Sequence, residues 1–156
     1  MEDCIFCKII RGEIPSLKFY EDSSVIAVLD INPANYGHAL IIPKQHFATI
    51  DEAPEGALCD AMKVAKMIAS KLKQNFGAQG VNIIQNNGKA AGQIVHHFHI
   101  HVIPRYEGDK VYITYERMQP DPEKMKEALE KFASSSPSAE NEKPTEDVPP
   151  EDKFTI

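Results

Sequence analysis

Three histidines, His97, His99 and His101, alternate with apolar residues in the second half of the chain. In a β-strand alternate side chains share a face, so the three imidazoles would line one surface and the apolar residues would face the core. Such a row has three explanations: surface histidines by chance, a triple-histidine metal site, or nucleophilic catalysis by one imidazole. The complete apolar half of the alternation favours the two functional explanations.

A second group of candidate ligands is the C-x-x-C motif formed by Cys4 and Cys7. Two thiols at this spacing can bind one zinc ion, form a redox pair, or be a coincidence. No thioredoxin-like pattern surrounds them, which favours zinc with two further ligands from elsewhere. Cys59 lies in a predicted helix away from any histidine motif and is expected to be inert.

The rest of the sequence predicts an α+β domain built on an antiparallel sheet that would position these side chains. Short β-prone runs predict strands at residues 17–21, 25–29, 38–42, 80–85 and 97–103. Apolar residues that recur every three or four positions predict one long helix over residues 54–76, ended by Gly77. A last helix is predicted over residues 121–133.

The charge is concentrated at the C-terminus. The whole chain of 156 residues carries a formal charge of -6, of which residues 119–156, with 5 basic and 10 acidic side chains, contribute -5. The sign argues against tracking of a nucleic acid backbone. Residues 134–156 are rich in Ser, Pro and acidic residues, so a disordered tail is expected there, after a domain at 1–118 and an extension helix at 119–133.

The sequence also predicts a cytoplasmic protein. No apolar run approaches the roughly 20 residues that a membrane span requires. The start is acidic, whereas a signal peptide would be basic and then apolar.

Four motifs in a fixed order resemble the histidine triad (HIT) superfamily. They are D-I-N-P from residue 30, G-H-A-L-I-I-P-K-Q-H from residue 37, the glycine-containing loop 88–92 followed by Gln93, and H-F-H-I-H-V-I from residue 97. The resemblance covers about residues 4–105. It implies a HIT-like fold with about five antiparallel strands, one long helix and a short N-terminal helix. It also implies a homodimer that hydrolyses or transfers nucleotidyl groups, with purine nucleotides, nucleoside phosphoramidates or dinucleoside polyphosphates as substrates.

The resemblance also implies roles for three histidines. His99 is the middle histidine of the triad and would attack the α-phosphorus to form a nucleotidyl-histidine intermediate. His101 would contact phosphate oxygens or the leaving group. His38 would lie on the neighbouring strand and hold the catalytic group by a hydrogen bond. No catalytic metal or organic cofactor is expected.

Four further residues match nucleotide-binding positions of the family. Asp30 corresponds to the carboxylate that accepts both ribose hydroxyls. Asn86 and Gln93 match positions that donate hydrogen bonds to phosphate, and Gly92 would let the backbone approach it closely.

Ile94 departs from the family pattern, because Hint-type members have Ser and fragile-histidine-triad-type members have Thr at this position. Only its backbone N–H could assist the leaving group, so the rate and the preferred substrate are open. His96 is an additional histidine that faces away from the triad by strand parity, and a surface or dimer-edge position is expected for it by default.

The zinc prediction is completed by the same resemblance. In bacterial and archaeal-type HIT proteins the two further ligands resemble His46 and His97. A site of Cys4, Cys7, His46 and His97 would be closed and structural, because four protein ligands leave no open position.

Two other functions use the same residues differently. In the first, His97, His99 and His101 bind one zinc ion whose water is the nucleophile. In the second, the protein is a non-catalytic nucleotide-binding scaffold.

Overall fold

A five-stranded antiparallel sheet forms the centre of the protein, in a computed structural model that describes residues 3–134. The strand order is β1-β2-β3-β5-β4. The strands are β1 Lys18–Glu21, β2 Val25–Leu29, β3 Ala39–Pro43, β4 Gly80–Ile84 and β5 Ile100–Arg105. The helices are α1 Ile5–Ile10, α2 Glu55–Phe76 and α3 Pro122–Ser134. The predicted α+β class, the five strands and the three helices are confirmed.

Helix α2 packs on one face of the sheet. It ends at Gly77, whose φ of 67° lies in the left-handed region that glycine adopts without a steric penalty. The core between helix and sheet is apolar, and its fully buried members include Ala61, Ala65, Val25, Ile41 and Val102. This packing fixes the sheet on which the histidines lie.

The opposite face of the sheet carries a smaller apolar cluster beneath helix α1. Phe6 of α1 packs there with Ile26, Val28, Leu40 and Ile42. Strands β2 and β3 are therefore buried on both faces, which explains why they are almost continuously apolar rather than alternating.

Strand β5 begins at Ile100, three residues later than the sequence predicts. The backbone before it bonds elsewhere, since the N–H of His97 donates to Val95 O (2.9 Å) and that of Phe98 donates to Phe47 O (2.7 Å). The predicted apolar alternation is nevertheless present, because Phe98 and Ile100 are both buried in the core beneath α2.

The chain divides into two compact units, the first ending at Ile113 and the second beginning at Thr114. In the second unit, Asp121 Oδ1 accepts the backbone N–H groups of Glu123 and Lys124 at the start of α3. A domain boundary at residue 118 stays a prediction, and the predicted tail, apart from Ser134, lies outside the described residues.

Within residues 3–134 no helix is both long and apolar enough to cross a membrane. A cytoplasmic location stays a prediction.

Candidate active site and metal cluster

Four side chains from three parts of the chain converge on one point beside helix α1. Cys7 lies in α1 and Cys4 precedes it, His46 follows β3, and His97 precedes β5. Their four ligand atoms all lie within 4.8 Å of one another. The structure thus brings together the four residues of the predicted zinc site.

The separations in this cluster suit a tetrahedral metal ion. Ligand atoms bound to tetrahedral zinc stand about 3.3 to 3.8 Å from one another. Here Cys7 Sγ lies 3.3 Å from His46 Nδ1 and 3.6 Å from His97 Nδ1. Cys4 Sγ lies 3.5 Å from His97 Nδ1, and the two Nδ1 atoms are 3.1 Å apart.

The orientation of His97 also suits a ligand. Its Nε2–H donates to the backbone carbonyl of Pro43 at 2.8 Å, so in the neutral ring the lone pair of Nδ1 faces the thiols. The ring is fully buried, and this burial lowers its pKa and favours the neutral form that metal binding requires. The donor set therefore fits zinc.

His99 is held in a single tautomer by the preceding triad histidine. Its Nδ1–H donates to the backbone carbonyl of His97 at 2.7 Å, which leaves the lone pair on Nε2. The ring is 7% exposed and packs edge-on against Phe6, with 5.0 Å between ring centroids. Burial lowers the pKa of His99, so the ring is neutral and Nε2 is a competent nucleophile near pH 7.

A second cluster consists of Asp30, His38 and His101, whose ligand atoms also lie within 4.8 Å of one another. His38 immediately precedes β3, and the pairing of Leu40 with His101 places the two rings side by side. His38 Nε2 lies 2.9 Å from His101 Nδ1. The partner of His38 is therefore His101, not His99.

Hydrogen bonds determine the tautomers in this second cluster. The backbone N–H of Ala34 donates to His38 Nδ1 at 3.1 Å, so the neutral ring carries its proton on Nε2. That proton is donated to His101 Nδ1, which leaves the remaining N–H of His101 on Nε2. With this tautomer His38 directs an N–H group and not a lone pair into the cluster, so the arrangement favours hydrogen bonding over metal binding.

The two carboxylate oxygens of Asp30 face different neighbours. Its Oδ1 accepts the backbone N–H of Asn32 at 2.8 Å. Its Oδ2 lies 3.6 Å from His38 Nε2, and the side chain is 16% exposed.

The three triad rings do not meet at one point. Among the described residues, His97 belongs to the first cluster, His101 to the second and His99 to neither. This arrangement does not match the zinc-water alternative, which requires one ion bound to all three.

Gln93 is a buried clamp between loops. Its Oε1 accepts the N–H of Gly88 at 2.7 Å, and its Nε2 donates to Ala48 O (2.7 Å) and Val95 O (3.1 Å). Both amide protons are therefore engaged, and the side chain holds the loop that leads to the triad.

Gly92 ends that loop with a φ of 84°, a conformation that favours glycine. A Cβ at this position would lie 3.9 Å from Asn86 Nδ2, so these two predicted phosphate-binding residues are neighbours. Ile94 is 89% exposed, His96 is exposed, and Cys59 is exposed on α2.

The sequence did not indicate the groups that orient the rings. The carbonyls of Pro43 and His97 and the N–H of Ala34 carry no residue-type signal, because every residue has a carbonyl and almost every residue has an N–H. Phe6 packs on His99, and the only sequence signal for Phe6 was its position inside the C-x-x-C motif.

Comparison with known proteins identifies the family. The HIT domain model matches residues 11–108. An uncharacterized HIT-like protein of Methanocaldococcus jannaschii is 55% identical over 106 residues, which cover 68% of this chain and 81% of that protein.

Two relatives have named activities. Adenylylsulfatase HINT3 of Arabidopsis thaliana is 47% identical over 107 residues, which cover 69% of this chain and 54% of that protein. Adenosine 5'-monophosphoramidase HNT1 of Saccharomyces cerevisiae is 50% identical over 102 residues, which cover 65% of this chain and 62% of that protein. The match thus spans less than two thirds of each of these two enzymes.

Solved structures share the fold. A HIT family protein from Bacillus subtilis superposes with a TM-score of 0.80 at 38% identity, covering 88% of this chain and 99% of that one. A Zn-bound histidine triad family protein from Mycobacterium smegmatis superposes with a TM-score of 0.68 at 36% identity, covering 86% and 99%. By its matched domain, its fold and its histidine arrangement, the chain belongs to the HIT domain family.

Proposed function

We propose that the protein is a nucleotide hydrolase or nucleotidyl transferase that cleaves at the α-phosphate of nucleoside phosphoramidates or dinucleoside polyphosphates. The observation that carries this proposal is the 2.7 Å bond from His99 Nδ1–H to the carbonyl of His97, which leaves Nε2 free to attack phosphorus. The named activities of the Arabidopsis and yeast relatives, both directed at adenosine compounds, support a purine nucleotide as substrate.

The reaction on a phosphoramidate would proceed in two steps. His99 Nε2 attacks the α-phosphorus and the bond from phosphorus to the leaving amine breaks, while the neutral His101 ring donates a hydrogen bond from Nε2–H to the amine, which takes its proton from solvent. Water then attacks the same phosphorus, the bond to His99 breaks, and the proton from water is released to solvent. Nucleoside monophosphate and free amine are the products, and both histidines end in their starting tautomers.

The other polar residues would bind the nucleotide. We assign the ribose hydroxyls to the Asp30 carboxylate, and the phosphate to Asn86 and the backbone at Gly92. Gln93 would act on the phosphate indirectly, because its side chain already makes three hydrogen bonds to the backbone.

We further propose that the first cluster binds one zinc ion through Cys4, Cys7, His46 and His97. When bound, the ion would supply a structural cross-link between the N-terminus and the triad, with no open position for substrate. The Zn-bound relative from Mycobacterium smegmatis supports this assignment.

We also propose a homodimer. Strand β4 is an edge of the sheet, and within residues 3–134 only β5 pairs with it. Ile83 on β4 is 44% exposed and Met62 on α2 is 51% exposed. A second copy could cover this apolar edge. Sedimentation at low concentration should show a dimer, and a monomer there would contradict this part of the proposal.

Intact-mass analysis after rapid quench tests the covalent step. Wild-type protein mixed with adenosine 5'-phosphoramidate should gain the mass of one nucleotidyl group, and His99→Ala should gain none. His96→Ala is the matched control, because His96 is an exposed histidine in the same segment and should still form the adduct.

Two other outcomes would contradict the proposal. Turnover without an adduct, abolished by chelation, would favour the zinc-water hydrolase. Binding of nucleoside monophosphate with no cleavage of phosphoramidate or dinucleoside polyphosphate would favour the scaffold.

A further inference from the structure

A network of polar side chains outside the two clusters ties the loop of residues 30–38 to the end of β5. Asn35 Nδ2 donates to the carbonyl of Pro104 at 2.8 Å and to Asp109 Oδ2 at 3.0 Å. Asp30 and His38 stand at the two ends of this loop, where the N–H of Asp30 donates to His38 O at 2.9 Å. Asn35 thus joins the loop to the end of β5.

Asp109 is itself rigidly held. Arg105 binds it through two parallel bonds, Nε to Oδ2 at 2.8 Å and Nη2 to Oδ1 at 2.7 Å. The backbone N–H groups of Tyr106 and Val111 donate to the same carboxylate. The Asp109 side chain is only 6% exposed, and these donors, Arg105 first, hold its pKa far below the usual range, so it is an anion at any working pH.

The Asn35 side chain supplies a hydrogen bond that the carbonyl of Pro104 would otherwise lack on the β3 side. The pairing of β3 with β5 ends where Ala39 meets Val102, so the carbonyl of Pro104 has no β3 partner in the ladder. The Asn35 amide takes the place of that partner. An apolar side chain at position 35 would leave this carbonyl without its donor and would remove one of the donors to Asp109.

The network reaches the catalytic histidines through the backbone. The carbonyl of Asn35 accepts the N–H of His38 at 3.0 Å. The preceding residue, Ala34, supplies the N–H that fixes the proton of His38 on Nε2. A shift of Asn35 would therefore move the N–H group that donates to His38 Nδ1 and favours the tautomer facing His101.

We propose that Asn35 and Asp109 are positioning residues that hold Ala34 against His38. They thereby keep the hydrogen bond in which His38 Nε2–H donates to His101 Nδ1. This inference rests on the proposed function for its effect on rate, while the effect on His38 is independent of turnover. Neither residue is expected to contact the substrate.

Nitrogen-15 NMR of the histidine rings tests the inference directly. In the wild type, His38 should show a protonated Nε2 and an unprotonated Nδ1. In Asn35→Ala and in Asp109→Asn it should show a mixture of tautomers. The kcat for adenosine 5'-phosphoramidate should fall about tenfold in both variants, with KM changed less than twofold.

Two controls separate positioning from general stability. Val64→Ala removes core volume on α2 and should lower the melting temperature while leaving the His38 tautomer and kcat unchanged. Asn75→Ala removes an exposed amide on α2 and should change none of these quantities.

Two results would overturn the inference: a His38 spectrum identical to wild type in Asn35→Ala, or a loss of kcat in Val64→Ala as large as in Asn35→Ala. If Asp109→Asn does not fold, Asn35→Ala alone decides. If the wild-type protein cleaves none of the substrates, the proposed function fails, and the ring spectra still decide whether Asn35 positions His38.

Discussion

The first cluster, with His97, and the second cluster, with His38 and His101, use histidine side chains in opposite ways. In the first, the carbonyl of Pro43 accepts the outward N–H of His97, so a lone pair faces the two thiols. In the second, the N–H of Ala34 occupies the outward lone pair of His38, so a proton faces His101. A single backbone group behind each ring thus decides whether the imidazole presents a lone pair to a metal ion or an N–H group to a hydrogen-bond acceptor.

The neighbours of the rings reinforce this difference. Cys4 and Cys7 are soft donors that suit zinc, whereas Asp30 is a carboxylate with little of its surface exposed. His99 lies between His97 and His101 in sequence and takes its tautomer from the carbonyl of His97. His97 therefore belongs to the cluster proposed to bind metal and also orients His99, the proposed nucleophile.

The largest expected effect is the loss of the metal site in Cys7→Ser. We expect zinc to fall from about one per chain to near zero and the unfolding free energy to fall by about 5 kcal/mol or more, because structural zinc contributes directly to folding. Elemental analysis and chemical denaturation measure the two effects. Cys59→Ser is the matched control and should keep both values, because this thiol is exposed and outside the cluster. Equal zinc content in Cys7→Ser and Cys59→Ser would show that the first cluster is not the zinc site, and the proposed difference between the two clusters would fail.

The second prediction concerns the second cluster, formed by Asp30, His38 and His101. In His101→Ala, kcat should fall about 10²- to 10³-fold, since the proposed hydrogen-bond donor to the leaving group is lost. Zinc content should stay at the wild-type value. Single-turnover kinetics and elemental analysis on the same preparation check this. Loss of zinc in this variant would mean that the two clusters are not separate in function.

The third prediction is a dependence of stability on pH. Burial, followed by the neighbouring His99 and His38, lowers the pKa of His101 from 6.5 to about 4, while Asp30 opposes the shift. Between these two pH values the unfolded chain binds more protons than the folded one, so the unfolding free energy should decrease as pH falls. For His101 alone the decrease is on the order of 3 kcal/mol.

Denaturation at several pH values from 4.5 to 7.5 measures this dependence. His101→Gln should show a shallower decrease than the wild type, with the remainder due to the other buried histidines. Because acid also releases metal from thiols, zinc content is followed in both proteins. Equal slopes would show that His101 takes up its proton as readily in the fold as in the unfolded chain.

The smallest expected effect is that of Ile94→Ser, a change outside both clusters. Ile94 is 89% exposed, so the fold should tolerate the substitution. A hydroxyl at this position could donate to the leaving group, and one such hydrogen bond corresponds to an increase in kcat of up to about tenfold. Ile94→Ala is the control and should leave kcat unchanged. A fall in kcat in Ile94→Ser would show that the apolar side chain itself serves the reaction.

Much of the fold could be predicted from local patterns. The spacing of apolar residues predicted α2 to within a residue at its start, and Gly77 correctly marked its end. The start of β5 was predicted three residues too early, because the alternation of Phe98 and Ile100 continues through a segment whose backbone bonds to Val95 and Phe47 instead of a strand. Side-chain alternation reports burial and does not report which backbone group is the partner.

The candidate site divides in the same way. Residue types and spacing by themselves determined that the C-x-x-C pair and the row of alternating histidines could act, and the family resemblance added His38. Only the tertiary structure decided how each acts. Gln93 was predicted to contact phosphate but is engaged with the backbone. The tautomers depend on backbone groups such as Pro43 O, which lies 54 residues from the ring it orients. A backbone carbonyl or N–H has no residue-specific signature, so its position relative to a ring exists only once the chain has folded.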